Sequence, residues 1–166
     1  MNSTNYIQIT TQKYRESWGL YYEDFIINDV FEHRPGRTIT EADNIWQSLL
    51  CMNNHPLHID AIYAAKTEFR QNLVSSLVTF AIVNGMTVAT ISAKAIANLG
   101  WDKVKLINPV YIGDTLYAES KILTKRLSAS RNQQGIVTVG THGMKGDGTL
   151  VISFERTVLV PCSGTK

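Results

Sequence analysis

Residues 75–93 read SSLVTFAIVNGMTVATISA, a stretch with apolar side chains on nearly every helical face and with Ser75 or Ser76 placed to cap its start. A helix of that kind needs cover on several sides. Gly85 inside it costs about 1 kcal/mol against Ala, so a close backbone approach is expected there. The wider apolar run, Leu73 to about Ala97, is punctuated by Ser75, Ser76, Thr79, Asn84, Thr87, Thr90, Ser92 and Lys94, which fits a buried helix better than a membrane span.

Beyond residue 100 the apolar period changes from helical to two. Val104 and Leu106, then Leu116, Ala118, Ser120 and Ile122, then Val137 and Val139, then Leu150, Ile152, Phe154, Val158 and Val160 indicate four strands. Gly113-Asp114 and Lys145-Gly146-Asp147-Gly148 are turn chemistry, and the short second connection requires an antiparallel hairpin. One apolar helix followed by an antiparallel sheet has a simple packing solution: the sheet curls round the helix. The expected class is therefore α+β, in the hot-dog arrangement. Its sheet edges and one helix flank would stay uncovered, so a homodimer or higher homo-oligomer is expected.

Upstream, Val30 to Ile39 reads as an extended segment interrupted by Pro35 and Gly36. Thr40, with Asp43 three residues on, starts a helix through Ile45, Trp46, Leu49 and Leu50. Pro56 cannot continue that helix, which leaves Asn53 to His58 as an irregular segment, and a second helix follows from Asp60. Residues 1–17 are polar and without clear periodicity, so they are expected to form a loose arm, with a single domain over 18–166 starting at the aromatic stretch Trp18 to Phe25.

The 166 residues, 44% hydrophobic and 18% charged, suit one globular domain. A formal net charge of +2, with Lys and Arg spread along the chain, lacks the footprint of a nucleic-acid binder. The N-terminus has no apolar core of signal-peptide type, and Cys51 and Cys162 have no metal-ligand spacing, so a reducing cytoplasm is the expected compartment.

The stretch Asn53-Asn54-His55-Pro56-Leu57-His58-Ile59-Asp60, continued by Tyr63-Ala64-Ala65 and Phe69, resembles the hydratase motif of MaoC-like dehydratases and (R)-specific enoyl-CoA hydratases. That motif runs Asp-x-Asn-Pro-x-His-x-Asp, followed by a Tyr-Ala or Phe-Ala pair and a later Phe. Asn108-Pro109-Val110-Tyr111-Ile112-Gly113-Asp114-Thr115-Leu116 is similar to the strand and turn that the family places after its central helix. Gly36-Arg37-Thr38-Ile39-Thr40-Glu41-Ala42-Asp43 and Ser130-Arg131 resemble most the mesaconyl-CoA hydratase and β-methylmalyl-CoA dehydratase branch. The resemblance covers about residues 30 to 160. It implies a hydro-lyase acting on an enoyl or 3-hydroxyacyl thioester, with coenzyme A or a carrier protein as part of the substrate and no other cofactor.

The chemistry needs a base that activates water for the β carbon, an acid for the α carbon, and donors at the thioester oxygen. The resemblance assigns the base to His58, since an imidazole can take a proton from water in one direction and return it in the other; alone, such a histidine would be read as a helix cap or loop filler. Asn53 stands where the family has a catalytic Asp. Either it positions His58 or a water by hydrogen bonding, or another acid substitutes, or catalysis has been lost. Asp43 and Asp60 are the substitute acids, each equally readable as a helix-end residue. His55 falls beside the pocket, and no third ligand stands at a spacing that would make it and His58 a metal site. Alignment from His58 places Ser76 where the family's Gly supplies an oxyanion N–H at the helix start, with Ser75 as its neighbour; either serine is also readable as a plain N-cap. Arg131 and Arg37 are candidates for a phosphate or substrate carboxylate, or are solvated loop arginines. Leu49, Leu73 and Trp46 either shape an acyl pocket or pack in the core.

Two rival functions remain. A hot-dog thioesterase would need a carboxylate on the central helix, and Ser75 to Ala93 contains neither Asp nor Glu. A noncatalytic acyl-thioester-binding subunit is the reading that Asn53 favours.

Overall fold

The structure, a computed structural model, describes residues 6–164. Strands β3 (Val30–Thr38), β4 (Ala97–Leu106), β5 (Thr115–Leu127), β6 (Gln134–Lys145) and β7 (Leu150–Pro161) form one antiparallel sheet in the order β3-β5-β6-β7-β4. The expected four strands of the C-terminal half are all present. Between β3 and β4 lie α1 (Glu41–Leu50), α2 (Pro56–Ile59), α3 (Ala61–Ala65) and α4 (Ser76–Met86). Pro35 and Gly36 fall where the β3–β5 register shifts, between His33 and Arg37, so the proline occupies a bulge and β3 continues past it.

The sheet curls round α4, as the packing of an apolar helix requires, and the molecule has the hot-dog fold. Leu116, Ala118 and Ile122 of β5 and Val137 and Val139 of β6 are fully buried at alternate positions. Around α4, Val78 and Val83 join Leu116, Ala118, Val151 and Ile152 in one apolar cluster, while Ile91 joins Phe25, Ile122, Val137 and Val158 in a second. Helix and sheet come closest at Gly143 of β6, where a Cβ would lie 2.6 Å from a Val83 methyl. Gly85, expected to mark such an approach, does not: a Cβ there would meet nothing within 4 Å. It lies on a flank of the helix that the chain leaves bare, where Leu77 and Val88 are 50% and 43% exposed.

The single helix expected over 75–93 is α-helical only to Met86, and Val88–Ser92 form a π turn. Four of residues 87–91 are β-branched, which lowers helix propensity, and the Thr87 hydroxyl donates to the Asn84 carbonyl at 2.7 Å. Among the described residues no helix is long and apolar enough to cross a membrane.

Two expectations need correction. The arm over 1–17 carries a hairpin, β1 (Tyr6–Thr10) paired with β2 (Lys13–Glu16), every residue of it exposed; residues 1–5 and 165–166 lie outside the described residues. A hairpin with no buried face leaves no apolar alternation to read. Helix α1 is turned opposite to its apolar pattern. Asn44 and Ser48 are its buried residues, while Trp46, Leu49 and Leu50 are 77%, 54% and 85% exposed, so Trp46 and Leu49 are not core residues, and Trp46 lines only an open surface hollow with Ala42, Asp43, Gln47 and Leu50.

A polar row crosses the buried face of the sheet between the two apolar clusters. His33 Nε2 meets Ser120 Oγ at 2.9 Å, Ser120 Oγ meets Thr141 Oγ1 at 2.8 Å, and His33 Nδ1 is buried without a partner. Burial, helped by the neighbouring Arg34 charge, pushes the His33 imidazole down from its ordinary 6.5 to about 4.

Two predictions follow from this packing. In urea unfolding, Gly85→Ala should raise stability by about 0.5–1 kcal/mol, since it adds helix propensity in open space. Gly143→Val should lower it by roughly 1–3 kcal/mol, because the added carbons meet Val83. For His33, the unfolded chain binds a proton between pH 6.5 and 4 that the folded chain refuses. Its contribution is therefore complete above pH 6.5, is lost as pH falls towards 4, and changes no further below that. His33→Gln should flatten the fall of unfolding free energy over this window by up to about 1.4 kcal/mol per pH unit. Identical slopes for His33→Gln and the parent protein would refute the assignment.

Candidate active site

The site forms where α1, the α2–α3 segment and the start of α4 meet. Thr40 caps α1 reciprocally with Asp43: Thr40 Oγ1 accepts from the Asp43 N–H at 3.3 Å, and Asp43 Oδ2 accepts from the Thr40 N–H at 2.8 Å. Arg37 Nη2 donates to Asp43 Oδ1 at 2.7 Å and Arg37 Nη1 to the Thr38 carbonyl at 2.6 Å. Partial burial pushes the Asp43 carboxyl up, but the bonds from Thr40 and the Arg37 charge outweigh it and hold the group below its ordinary value. Asp43 is thus a helix-end residue, and Arg37 is engaged as its brace instead of standing free for a phosphate.

Pro56 opens α2 at its first turn, with His55 as the cap: His55 Nδ1 accepts from the Leu57 N–H at 3.2 Å. The His55 ring stands 5.9 Å from His58 and edge-on to Tyr63 at 6.1 Å. Asp60 caps α3 by accepting from the Tyr63 N–H at 2.9 Å, so it too serves a helix end. Both substitute acids are therefore committed elsewhere.

His58 Nδ1 lies 2.8 Å from the Leu73 carbonyl. A carbonyl oxygen only accepts, so Nδ1 carries the proton and Nε2 of the neutral ring is the basic nitrogen. Asn53 does not bond to His58. Its Nδ2 donates to Ser75 Oγ at 3.3 Å, and its Oδ1 accepts from the His55 N–H at 3.4 Å.

Ser75 precedes α4 and Ser76 is its first residue. The Ser75 N–H donates to Asn44 Oδ1 at 2.9 Å. The Ser76 N–H belongs to a first turn that has no intrahelical acceptor, and it has no bonding partner among the described residues. Ser76 and Thr79 line an open cavity of about 230 Å³ together with Phe69, Leu73, Val74 and the segment Leu106 to Val110. His58 is not itself a lining residue; it is tied to one, Leu73, whose carbonyl lies 2.8 Å from its Nδ1.

Arg131 is not brought to this place. It sits in the turn after β5, held by its backbone N–H on Ser128 Oγ. The bridge from Leu73 to Tyr111 lies before the opposite end of β5, so the 13 residues of that strand, roughly 40 Å at about 3.4 Å each, separate the two. The residue that sequence reasoning missed is Asn44. It is fully buried, and its Nδ2 donates to the His58 carbonyl at 2.9 Å. The available signal was an asparagine inside a helix, where its side chain competes with the backbone and propensity is low.

A curled antiparallel sheet round a central helix is the hot-dog arrangement, and here Asn44 ties a histidine to the start of that helix. Residues 24–144 match the family described as MaoC like domain, and the chain belongs to that family. It is 32% identical over 142 residues to mesaconyl-CoA hydratase of Cereibacter sphaeroides and 33% identical over 142 residues to beta-methylmalyl-CoA dehydratase of Chloroflexus aurantiacus. Each alignment covers 86% of this chain but only 41% and 40% of those proteins, so the chain spans about two fifths of their length. The crystal structure of a MaoC-like dehydratase from Rhodospirillum rubrum superposes with a TM-score of 0.78 at 25% identity, covering 89% of this chain and 100% of that one.

Proposed function

We propose that the protein is a hydro-lyase that adds water to, or removes it from, the acyl part of a coenzyme A thioester. The observation that carries this reading is the His58–Leu73 hydrogen bond, which leaves Nε2 as the ring's basic nitrogen on a residue that Asn44 ties to the start of α4. In hydration, Nε2 takes a proton from water as the oxygen bonds to the β carbon. Electrons of the double bond move to the thioester oxygen, and the Ser76 N–H and the positive end of α4 stabilise that charge. The imidazolium then returns its proton to the α carbon, so hydroxyl and hydrogen are both accounted for and the imidazole is regenerated. Asp43 and Asp60 are engaged as helix caps, which makes His58 the proton carrier in both halves of the step.

Asn53 acts in this scheme by holding Ser75, and so the start of α4, through its amide. The cavity of about 230 Å³ suits a short acyl group, and the two relatives named for mesaconyl and β-methylmalyl thioesters support a branched C4–C5 substrate of that kind. The exposed edge of β4, with Trp101 and Leu106, and the bare flank of α4 support assembly as a homodimer or larger oligomer. No step of the reaction needs a metal or a redox carrier. The competing reading, a noncatalytic thioester-binding subunit, is favoured by Asn53 alone, since an amide transfers no proton.

Steady-state kinetics on crotonyl-CoA and mesaconyl-CoA test the scheme. His58→Ala should lower kcat by roughly 10²-fold to 10⁴-fold with little change in KM. Unchanged turnover would remove the assignment. Asn53→Asp should have an effect that depends on substrate charge, raising or sparing turnover of crotonyl-CoA while opposing the free carboxylate of mesaconyl-CoA. Equal effects on the two substrates would rule out the electrostatic account.

A further inference from the structure

The three segments that build the site come from separate parts of the chain, and one buried side chain ties them together. Asn44, on α1, spans 14 residues to the His58 carbonyl and 31 residues to the Ser75 N–H, each at 2.9 Å. Its Nδ2 also lies 3.5 Å from the Leu73 carbonyl, the same oxygen that accepts from His58 Nδ1. We propose that Asn44 is a positioning residue, whose carboxamide holds His58, the Leu73 carbonyl and the start of α4 in one frame and thereby sets which nitrogen of His58 is basic. This rests on the reading of His58 as the proton carrier.

The chemistry at this position is specific. One neighbour, the His58 carbonyl, needs a donor; the other, the Ser75 N–H, needs an acceptor. Both are met by Asn44, which is fully buried, and the Ser75 N–H is itself buried, where an unmet backbone group is costly. A carboxamide offers a donor and an acceptor on adjacent atoms. An apolar side chain of equal size would orphan both backbone groups. A carboxylate would still accept from Ser75 but would set a second oxygen against the carbonyls of His58 and Leu73. Without the donor, the His58 peptide and the Leu73 carbonyl lose their common anchor, and the ring loses the fixed acceptor that selects the Nδ1–H form.

The frame also links the two halves of the reaction. His58 supplies and returns the proton, and the Ser76 N–H receives the oxygen charge, so their separation has to be held while charge moves between them. Asn53 reaches Ser75 and the His55 N–H but not His58, and His55 caps its own helix, so Asn44 is the side chain that joins both halves.

The test combines ring ¹⁵N NMR of His58 with kinetics on an enoyl-CoA in the full chain. In the parent protein, neutral His58 should give the signature of a single tautomer protonated at Nδ1. Asn44→Ala and the isosteric Asn44→Asp should each give a tautomer mixture, a shifted basic limb in the pH profile, and a kcat lower by roughly 10-fold to 100-fold with KM held within about threefold. Val151→Ala, in the same apolar cluster but without a bond to the site, is the control for simple loss of stability. Retention of the Nδ1–H tautomer in both Asn44 variants would overturn the proposal, as would an equal kcat loss in Val151→Ala at matched stability. The NMR readout does not need turnover, so an absence of hydration in the parent protein would count against the proposed function while the tautomer still decides the role of Asn44.

Discussion

A short helix with apolar side chains on most of its sides cannot remain in water, and the rest of this molecule is arranged around covering it. The seat is made at Gly143, where the missing Cβ lets the Val83 methyls rest against the β6 backbone. Above and below that point, two apolar clusters close over the two ends of the helical segment. Because the sheet takes up the helix side chains, the first turn of α4 remains at the rim with its Ser76 N–H open. The fold thus produces a partial positive charge at a fixed place before any side chain is chosen for chemistry.

What converts that place into a site is a small hydrogen-bond network anchored on the buried Asn44 and Ser75. His58, Leu73, Ser75, Asn53 and Asn44 are joined through backbone carbonyls and N–H groups instead of charges. Charge is kept at the margin, where Arg37 pairs with Asp43 on a half-exposed surface. The same economy of charge explains why an amide at Asn53 is compatible with the local geometry: its neighbours are a hydroxyl and an N–H, one accepting from it and the other donating to it.

Helix α1 shows how far function can invert an apolar pattern. Its buried stripe is Asn44 and Ser48, while Trp46 and Leu50 face outward. Asn44 is stable there because it meets backbone groups of His58 and Ser75 that would otherwise be unpaired, whereas the buried Ser48 hydroxyl has no hydrogen-bond partner among the described residues. The outward tryptophan and leucines, with the bare edge of β4 and the open flank of α4, present apolar surface of the kind that a second copy of the chain would cover.

The sequence by itself determined the elements whose cause is local. The period-two strands beyond residue 100, the Thr40–Asp43 cap and the end of α1 ahead of Pro56 depend on neighbours a few residues away and stand where they were read. The run of residues 75–93 leaves the α form after Met86, and the segment Asn53 to His58, read as irregular, is helical from Pro56, whose missing N–H is harmless in a first turn. His58 was legible because the motif around it lies in one contiguous stretch. Only the tertiary structure decided what depends on distant partners. Asn44 showed in the sequence only as an asparagine inside a helix, since its backbone partners lie 14, 29 and 31 residues away. The orientation of α1, the open space at Gly85 and the separation of Arg131 from His58 were likewise undetermined in the chain, because a periodic pattern states which residues share a face but not what that face will meet.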